Sequence, residues 1–187
     1  MEFDRAWPTL IGRSKFNSLE LSQHIMTNYD MSNPPSDKYG YNIFDDDSSY
    51  MKNFEKIAYN AFDEYLQEAI GKSISDYGGY LMKAWITGHG DGYAMAIHNH
   101  FGSQLSACFY VLAEEQNEGG ALTLIDPRGN ANRGYDPWWK HQFDEKVIIP
   151  ETGDVVIFPS FLYHAVQPYY SKWRICVPVD LYLNRDQ

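Results

Sequence analysis

The sequence predicts a mainly β fold of the jelly-roll or barrel type, and three observations support this expectation. Short apolar runs rich in Val, Ile, Tyr and Phe recur after Gly79, and Gly or Pro separates them. Aromatic residues make up 16% of the 187 residues, and such side chains favour half-buried strands. A clear helical period occurs only in the N-terminal part of the chain. Many short strands with such punctuation suit a jelly roll or barrel better than an α/β fold.

Two helices are expected in the N-terminal part. Asn17 and Glu20 have the spacing of a capping box and predict a short amphipathic helix to about Tyr29. A longer helix is expected from Ser48, and Gly71, which tolerates a positive φ, should end it. The longer helix has one apolar stripe, formed by Met51, Phe54, Ala58, Phe62, Tyr65 and Ala69.

Eight strands are expected after Gly79. They cover residues 80–87, 94–98, 105–113, 121–125, 147–149, 154–158, 164–166 and 174–182. The apolar opening at residues 7–12 is a further candidate strand. Because the sequence contains neither an internal repeat nor a linker, we expect a single domain over residues 1–187. In it, helices from residues 1–75 would pack outside a β core formed by residues 80–183.

The connection over residues 126–146 is long for a compact domain. Loops of this length are often lids or binding loops. This one contains Arg128, Trp138 and Trp139, which we interpret as candidate substrate-binding residues. The alternative is that the two tryptophans simply cover a face of the sheet.

The composition argues against several partners. The formal net charge is −10, so unspecific attraction to nucleic acid or to an anionic membrane is disfavoured. Cys108 and Cys176 lie in apolar runs and do not make a disulfide framework. The sequence shows neither a signal-peptide pattern nor an apolar run of about 18 residues. We therefore expect a cytoplasmic protein, and exposed edge strands favour a homodimer.

Three histidines lie at the ends of candidate strands. His98 and His100 stand two residues apart, and side chains at i and i+2 of an extended chain project to the same side. His164 begins a distant candidate strand. Two imidazoles joined by a third from another strand can form one face of a metal's coordination sphere. We interpret the three residues as a candidate metal site.

Arg174 follows His164 by ten residues and lies inside an apolar, strand-like run. A guanidinium is costly to bury unless an anion pairs with it, and its planar fork suits a carboxylate. A ligand that binds the metal at one end and presents a carboxylate to Arg174 at the other would use all four residues.

Three longer runs contain these residues: HNHFGSQLS at 98–106, LTLIDPR at 122–128 and FPSFLYHAVQP at 158–168. In order and spacing they resemble the 2-oxoglutarate/iron(II)-dependent oxygenases, whose fold is a double-stranded β-helix. They look closest to a small branch with His-x-His, Asp-Pro-Arg and Phe-Pro-Ser-x-x-x-His motifs. The resemblance covers residues 80–183.

The resemblance implies a set of site residues and a chemistry. His98 and His164 match the two iron-binding histidines of the superfamily. Arg174 matches the arginine that pairs with the 5-carboxylate of 2-oxoglutarate, and Tyr110 matches a tyrosine near that carboxylate. The implied cofactors are Fe(II) and 2-oxoglutarate. The implied reaction couples oxidative decarboxylation of 2-oxoglutarate to the oxidation, commonly hydroxylation, of a substrate that the sequence does not identify.

The third metal ligand is open at this point, because this chain has His100 where the superfamily has a carboxylate. Either the three histidines bind the iron, or Asp126 supplies the carboxylate and His100 stands behind the ligands. We favour the three histidines. Three neutral imidazoles would leave Fe(II) its full +2 charge, whereas a carboxylate ligand would reduce it to +1.

Two other functions compete with this interpretation. The spacing from Gly92 through His98 and His100 to Gln104 nearly meets the first cupin motif, which would suit a metal-dependent dioxygenase or a small-molecule binder. A cupin, however, has no need of Arg174 as a carboxylate clamp. The other alternative is a structural jelly-roll protein without catalytic activity, since a fold alone implies no activity.

Overall fold

The computed structural model describes residues 8–31, 41–89, 92–113, 119–128, 145–170 and 174–184, and within them ten strands form two antiparallel sheets. The strands are β1 (Gly12–Lys15), β2 (Tyr80–Ala84), β3 (Thr87–His89), β4 (Tyr93–His98), β5 (Leu105–Ala113), β6 (Leu122–Ile125), β7 (Glu145–Ile148), β8 (Asp154–Pro159), β9 (His164–Tyr169) and β10 (Arg174–Leu183). The larger sheet has the order β1-β8-β5-β10-β2, with β3 also paired to β10. The smaller sheet has the order β4-β9-β6-β7. The predicted mainly β, jelly-roll fold is confirmed.

Two α-helices lie between β1 and β2 in the described chain, α1 (Leu19–Asn28) and α2 (Ser49–Ile70). The hydroxyl of Ser48 accepts the Met51 N–H at the start of α2, and Gly71, with φ of 67°, ends the helix as predicted. The buried stripe of α2 differs from the prediction near the end of the helix, where Leu66 is buried and Tyr65 and Ala69 are only partly buried. None of the described helices is long and apolar enough to cross a bilayer.

The larger sheet is buried on both faces, and this creates two cores. On one face Phe109 and Val177 pack with Phe54 of α2, whose ring lies edge-on to that of Phe109 at 5.1 Å. On the other face Tyr110 and Cys176 pack against residues of the smaller sheet. Burial on both faces explains why β5 and β10 are continuous apolar runs rather than alternating ones.

The predicted cap of α1 is wrong in detail. Ser18 occupies the N-cap position and makes no side-chain capping bond. The side chain of Asn17 instead accepts the N–H of Leu19 at 3.2 Å. Asn side chains commonly bond to the backbone two residues further on, and here that local turn takes the place of the expected capping box.

The predicted strand over residues 80–87 is divided into β2 and β3, although its pairing with β10 continues in one register through Ala84 and Thr87. Pro178 lies at the division. Its carbonyl accepts the Trp85 N–H at 3.2 Å, but proline has no N–H to donate in return. The division is therefore one missing hydrogen bond in an otherwise continuous ladder.

The remaining differences concern strand ends and one connection. β1 begins at Gly12, the last residue of the strand expected over residues 7–12, and pairs with β8. β9 continues to Tyr169, three residues beyond the prediction. Trp138 and Trp139 lie outside the described residues, as does most of the long connection.

Candidate metal and cosubstrate site

The three histidines named from the sequence converge at one end of the smaller sheet. His98 ends β4 and is paired with His164, the first residue of β9. His100 follows β4, and its backbone N–H donates to the carbonyl of Ser160 at 3.2 Å. Each histidine offers one ring nitrogen, and these nitrogens lie within 4.8 Å of one another. This is a geometry that a single cation could bridge.

Two of the rings are oriented by backbone carbonyls. The Nδ1 atom of His98 lies 2.9 Å from the carbonyl oxygen of Ala96, and that of His164 lies 3.0 Å from the carbonyl oxygen of Leu162. A carbonyl accepts only, so each Nδ1 carries a hydrogen. This leaves Nε2 of each ring as the nitrogen that can bind a metal.

His164 is the most deeply buried of the three, with 3% of its surface exposed. The ring of Phe158 lies 4.9 Å away, nearly edge-on. Burial lowers the pKa of His164 to about 4, and the neighbouring His98 and His100 also lower it. The imidazole is therefore neutral near physiological pH and available as a ligand.

A β-bulge in β4 brings the histidines to the cleft. The pairing of β4 with β9 shifts by one residue between Tyr93 and Met95 and shifts back by one residue between Met95 and His98. Tyr93 and Met95 line the cleft, and so do His98 and His100. In a regular strand the odd and even positions would face opposite sides. The shift between residues 95 and 98 therefore lets both pairs face the same cleft.

The third ring, that of His100, contacts a carboxylate that the sequence analysis did not single out. Its Nδ1 donates to Oδ1 of Asp180 at 2.7 Å. The hydroxyl of Ser106 also donates to that oxygen, at 2.6 Å, and lies 2.8 Å from the hydroxyl of Ser160. The available signal was an aspartate inside the apolar run of β10, where an ionised group is costly without a partner.

The opposite part of the cleft contains two buried polar atoms without hydrogen-bond partners among the described residues. They are Nε of Arg174 and the hydroxyl of Tyr110. The guanidinium carbon lies 5.0 Å from the centre of the Tyr110 ring, and both residues line the same cleft as the histidines. Burial raises the pKa of Tyr110, so its hydroxyl remains a donor. Two unused donors facing one space fit a carboxylate ligand.

Gly120 allows the approach of the Arg174 side chain. Its φ is 71°, and a Cβ at this position would lie 2.9 Å from a ring carbon of Tyr169 and 3.2 Å from Cδ of Arg174. Any side chain here would push against the stem of the arginine. The glycine therefore helps to set the position of the guanidinium.

Asp126, the alternative ligand, does not belong to the converging group. Its carboxylate accepts from the guanidinium of Arg128, with Nε at 2.9 Å from Oδ1, and from the backbone N–H of the same residue. This pairing lowers the pKa of Asp126. The side chain of Arg128 is half exposed. In the described residues the structure thus joins Asp126 to Arg128 rather than to the histidines.

Comparison with known proteins agrees with this geometry. A family model described as "Putative 2OG-Fe(II) oxygenase" matches residues 83–180. Among solved structures, the chain is similar to a prolyl-4-hydroxylase from Pseudomonas putida, with 12% identity, a TM-score of 0.65 and coverage of 95% of this chain and 93% of that chain. It is similar to HygX from Streptomyces hygroscopicus with nickel and 2-oxoglutarate bound, with 10% identity, a TM-score of 0.60 and coverage of 93% and 82%.

A third solved structure matches over a smaller part of both chains. For an oxidoreductase of the 2OG-Fe(II) oxygenase family from Burkholderia pseudomallei, the identity is 12%, the TM-score is 0.52 and the coverage is 71% of this chain and 58% of that chain. The chain therefore spans less than two thirds of that protein. No curated protein matches the chain. At these identities the structural similarities establish the fold. The family model covers more than half of the chain, including the three histidines and Arg174, and the chain belongs to the 2OG-Fe(II) oxygenase family.

Proposed function

We propose that this protein is an Fe(II)- and 2-oxoglutarate-dependent oxygenase that hydroxylates its substrate. One observation supports the proposal above all others. Three converging imidazoles and two buried donors without hydrogen-bond partners among the described residues, Arg174 Nε and the Tyr110 hydroxyl, line a single cleft. A chelating dicarboxylate held between a metal and a guanidinium would use every one of these groups.

In this proposal His98, His100 and His164 hold Fe(II), which supplies the activation of dioxygen while 2-oxoglutarate is oxidised to succinate. Arg174 and Tyr110 donate to the distal carboxylate of 2-oxoglutarate and so fix its orientation. The other walls of the cleft are largely apolar, formed by Trp85, Met95, Leu122, Val166, Cys176 and Pro178. Such walls exclude water and strengthen the interactions of the charged groups inside.

The substrate would approach near the loops that carry the histidines. Phe101, Phe161 and Tyr163 are exposed on these loops. The Tyr163 carbonyl accepts the backbone N–H of Ile125, which brings the segment of Arg128 to the same region. We propose Arg128 as a substrate-binding residue, with Trp138 and Trp139 as further candidates. The exposed aromatic side chains favour a substrate with an apolar or planar part.

Cytoplasmic localisation and a homodimer are further proposals. The edge strands of the two sheets support the homodimer, and the localisation rests on the sequence patterns described above. Size-exclusion chromatography with light scattering measures the oligomeric state directly.

The test is anaerobic addition of Fe(II) and 2-oxoglutarate to the purified chain. We expect a weak visible charge-transfer absorption that requires both, and succinate formation once air is admitted. Arg174→Met should lose the 2-oxoglutarate dependence and keep metal binding. Arg13→Met, which removes an exposed arginine on β1, is the matched control and should behave as the wild type.

Two results would overturn the proposal. Fe(II) binding with no absorption change on addition of 2-oxoglutarate would favour a cupin-type metal protein. A chain that binds no divalent metal would favour a structural jelly roll without catalytic activity.

A further inference from the structure

Asp180 is the one carboxylate that contacts a histidine of the converging group among the described residues. It lies in β10, whose inward face also presents Arg174, Cys176 and Pro178 to the cleft. Only 4% of the surface of Asp180 is exposed. Its carboxylate contacts the ring of His100 directly. An ionised carboxylate at such a position is costly unless its partners compensate it.

The hydrogen bonds around Asp180 fix which atom donates. The hydroxyl of Ser106 donates its single hydrogen to Oδ1 of Asp180, so the hydroxyl of Ser160 donates to Ser106. Nδ1 of His100 lies 2.7 Å from the same Oδ1 and 3.1 Å from the Ser106 oxygen. Both neighbours of Nδ1 therefore accept, which leaves Nε2 of His100 as the free nitrogen.

The three histidines thus differ in what stands behind them. His98 and His164 donate to neutral backbone carbonyls, whereas His100 donates to a carboxylate. A carboxylate behind a ligating imidazole fixes the ring and raises its basicity toward the metal. Three neutral imidazoles bring no negative charge to a divalent cation, and Asp180 is placed to compensate for this through one of them.

We propose that Asp180 is a positioning residue that holds His100 toward the metal and supplies, through that imidazole, the negative charge that the three histidines lack. This inference rests on the proposed metal site. It gives β10 a second role in the site, in addition to carrying Arg174. The strand that binds the distal carboxylate of the cosubstrate also carries the charge that balances the metal.

The experiment measures Co(II) affinity of the purified chain by calorimetry, with neither 2-oxoglutarate nor dioxygen present. Asp180→Asn keeps an acceptor near His100 and removes the charge. We expect it to lower the Co(II) affinity by about 10- to 100-fold, as the loss of a group behind a metal ligand does elsewhere. Asp154→Asn is the matched control, because Asp154 is about as deeply buried as Asp180 but binds Lys15 within the β1–β8 pair at the edge of the larger sheet. It should leave the affinity unchanged.

A second measurement separates action through His100 from a purely structural role. In a double-substitution cycle, Asp180→Asn should have almost no effect on Co(II) affinity once His100→Ala is present. An equal loss in both backgrounds, or wild-type affinity in Asp180→Asn, would overturn the inference. The Fe(III)/Fe(II) midpoint potential should also move to a more positive value in Asp180→Asn, because the compensating charge is gone.

If Asp180→Asn does not fold, the wild type still provides the test. In the Zn(II)-loaded protein, the Nδ1–H of His100 should give a proton resonance further downfield than those of the other two histidines, and His100→Ala should remove it. Lack of such a resonance would overturn the inference. Failure of the wild type to bind any metal would instead reject the proposed function itself.

Discussion

Arg174 and Tyr110 illustrate what single side chains can reveal about a binding site. A leucine and a phenylalanine would fill the same space without leaving donors unpaired, and an unpaired buried donor costs about 1–3 kcal/mol. The two residues are nevertheless buried, with 7% and 0% of their surfaces exposed. The Arg174 Nε and the Tyr110 hydroxyl have no hydrogen-bond partner among the described residues, which is best explained by a ligand that accepts from both.

Single substitutions can also test whether His100 or Asp126 is the third metal ligand. Asp126→Asn should leave Co(II) affinity close to that of the wild type, because the carboxylate is engaged by Arg128 and lies outside the converging group. His164→Ala should largely abolish binding, since it removes one of three ligands. Calorimetric titration with Co(II) measures both. A loss in Asp126→Asn that approaches the loss in His164→Ala would make Asp126 the third ligand.

At the scale of elements, the bulge in β4 decides which way the histidines face. Met95 and His98 are three residues apart, and a regular strand would turn their side chains to opposite faces. The one-residue shift in the pairing with β9 absorbs the difference. β4 is an edge strand of the smaller sheet, where such a bulge disturbs few hydrogen bonds.

Two single-residue deletions test this role of β4. Deleting Ile97 removes the extra residue between Met95 and His98 and leaves the side chain of His98 facing the cleft, so metal affinity should change little. Deleting Asn99 places His100 next to His98, which turns its side chain away. We expect a loss of Co(II) affinity larger than the roughly 10- to 100-fold that follows loss of a group behind a ligand. Circular dichroism controls for folding, and equal losses in the two variants would contradict the assigned role of the bulge.

Much of the fold and the convergence of the three histidines were predictable, because they depend on local patterns. The apolar stripe and glycine end of α2, the strand positions and the three histidines all follow from period and spacing. The features that could not be predicted depend on partners distant in sequence. Asp180 contacts His100, which lies 80 positions away in the sequence. Pro178 interrupts the pairing of β10 with the segment around Trp85, which is also distant in sequence.

At the scale of the whole molecule, the proposed ligands connect the two sheets. His98 and His164 belong to the smaller sheet, whereas Arg174 and Tyr110 belong to the larger one. A metal alone would be bound by the histidine end of the cleft. A metal with 2-oxoglutarate would link that end to β10 across the core between the sheets. The metal and 2-oxoglutarate together should therefore stabilise the folded chain by more than the sum of their separate effects.

Thermal unfolding tests this cooperativity, with Ni(II) in place of Fe(II) so that the enzyme does not turn over. Saturation at about 100 times the dissociation constant adds about 2.7 kcal/mol, which for a chain of this size corresponds to a rise in Tm of roughly 5–10 °C. We expect Ni(II) with 2-oxoglutarate to raise Tm by more than the sum of the two separate shifts. In Arg174→Met the Ni(II) shift should persist and the 2-oxoglutarate increment should disappear, while Arg13→Met should match the wild type. An increment from 2-oxoglutarate that needs neither the metal nor Arg174 would place its binding outside this cleft.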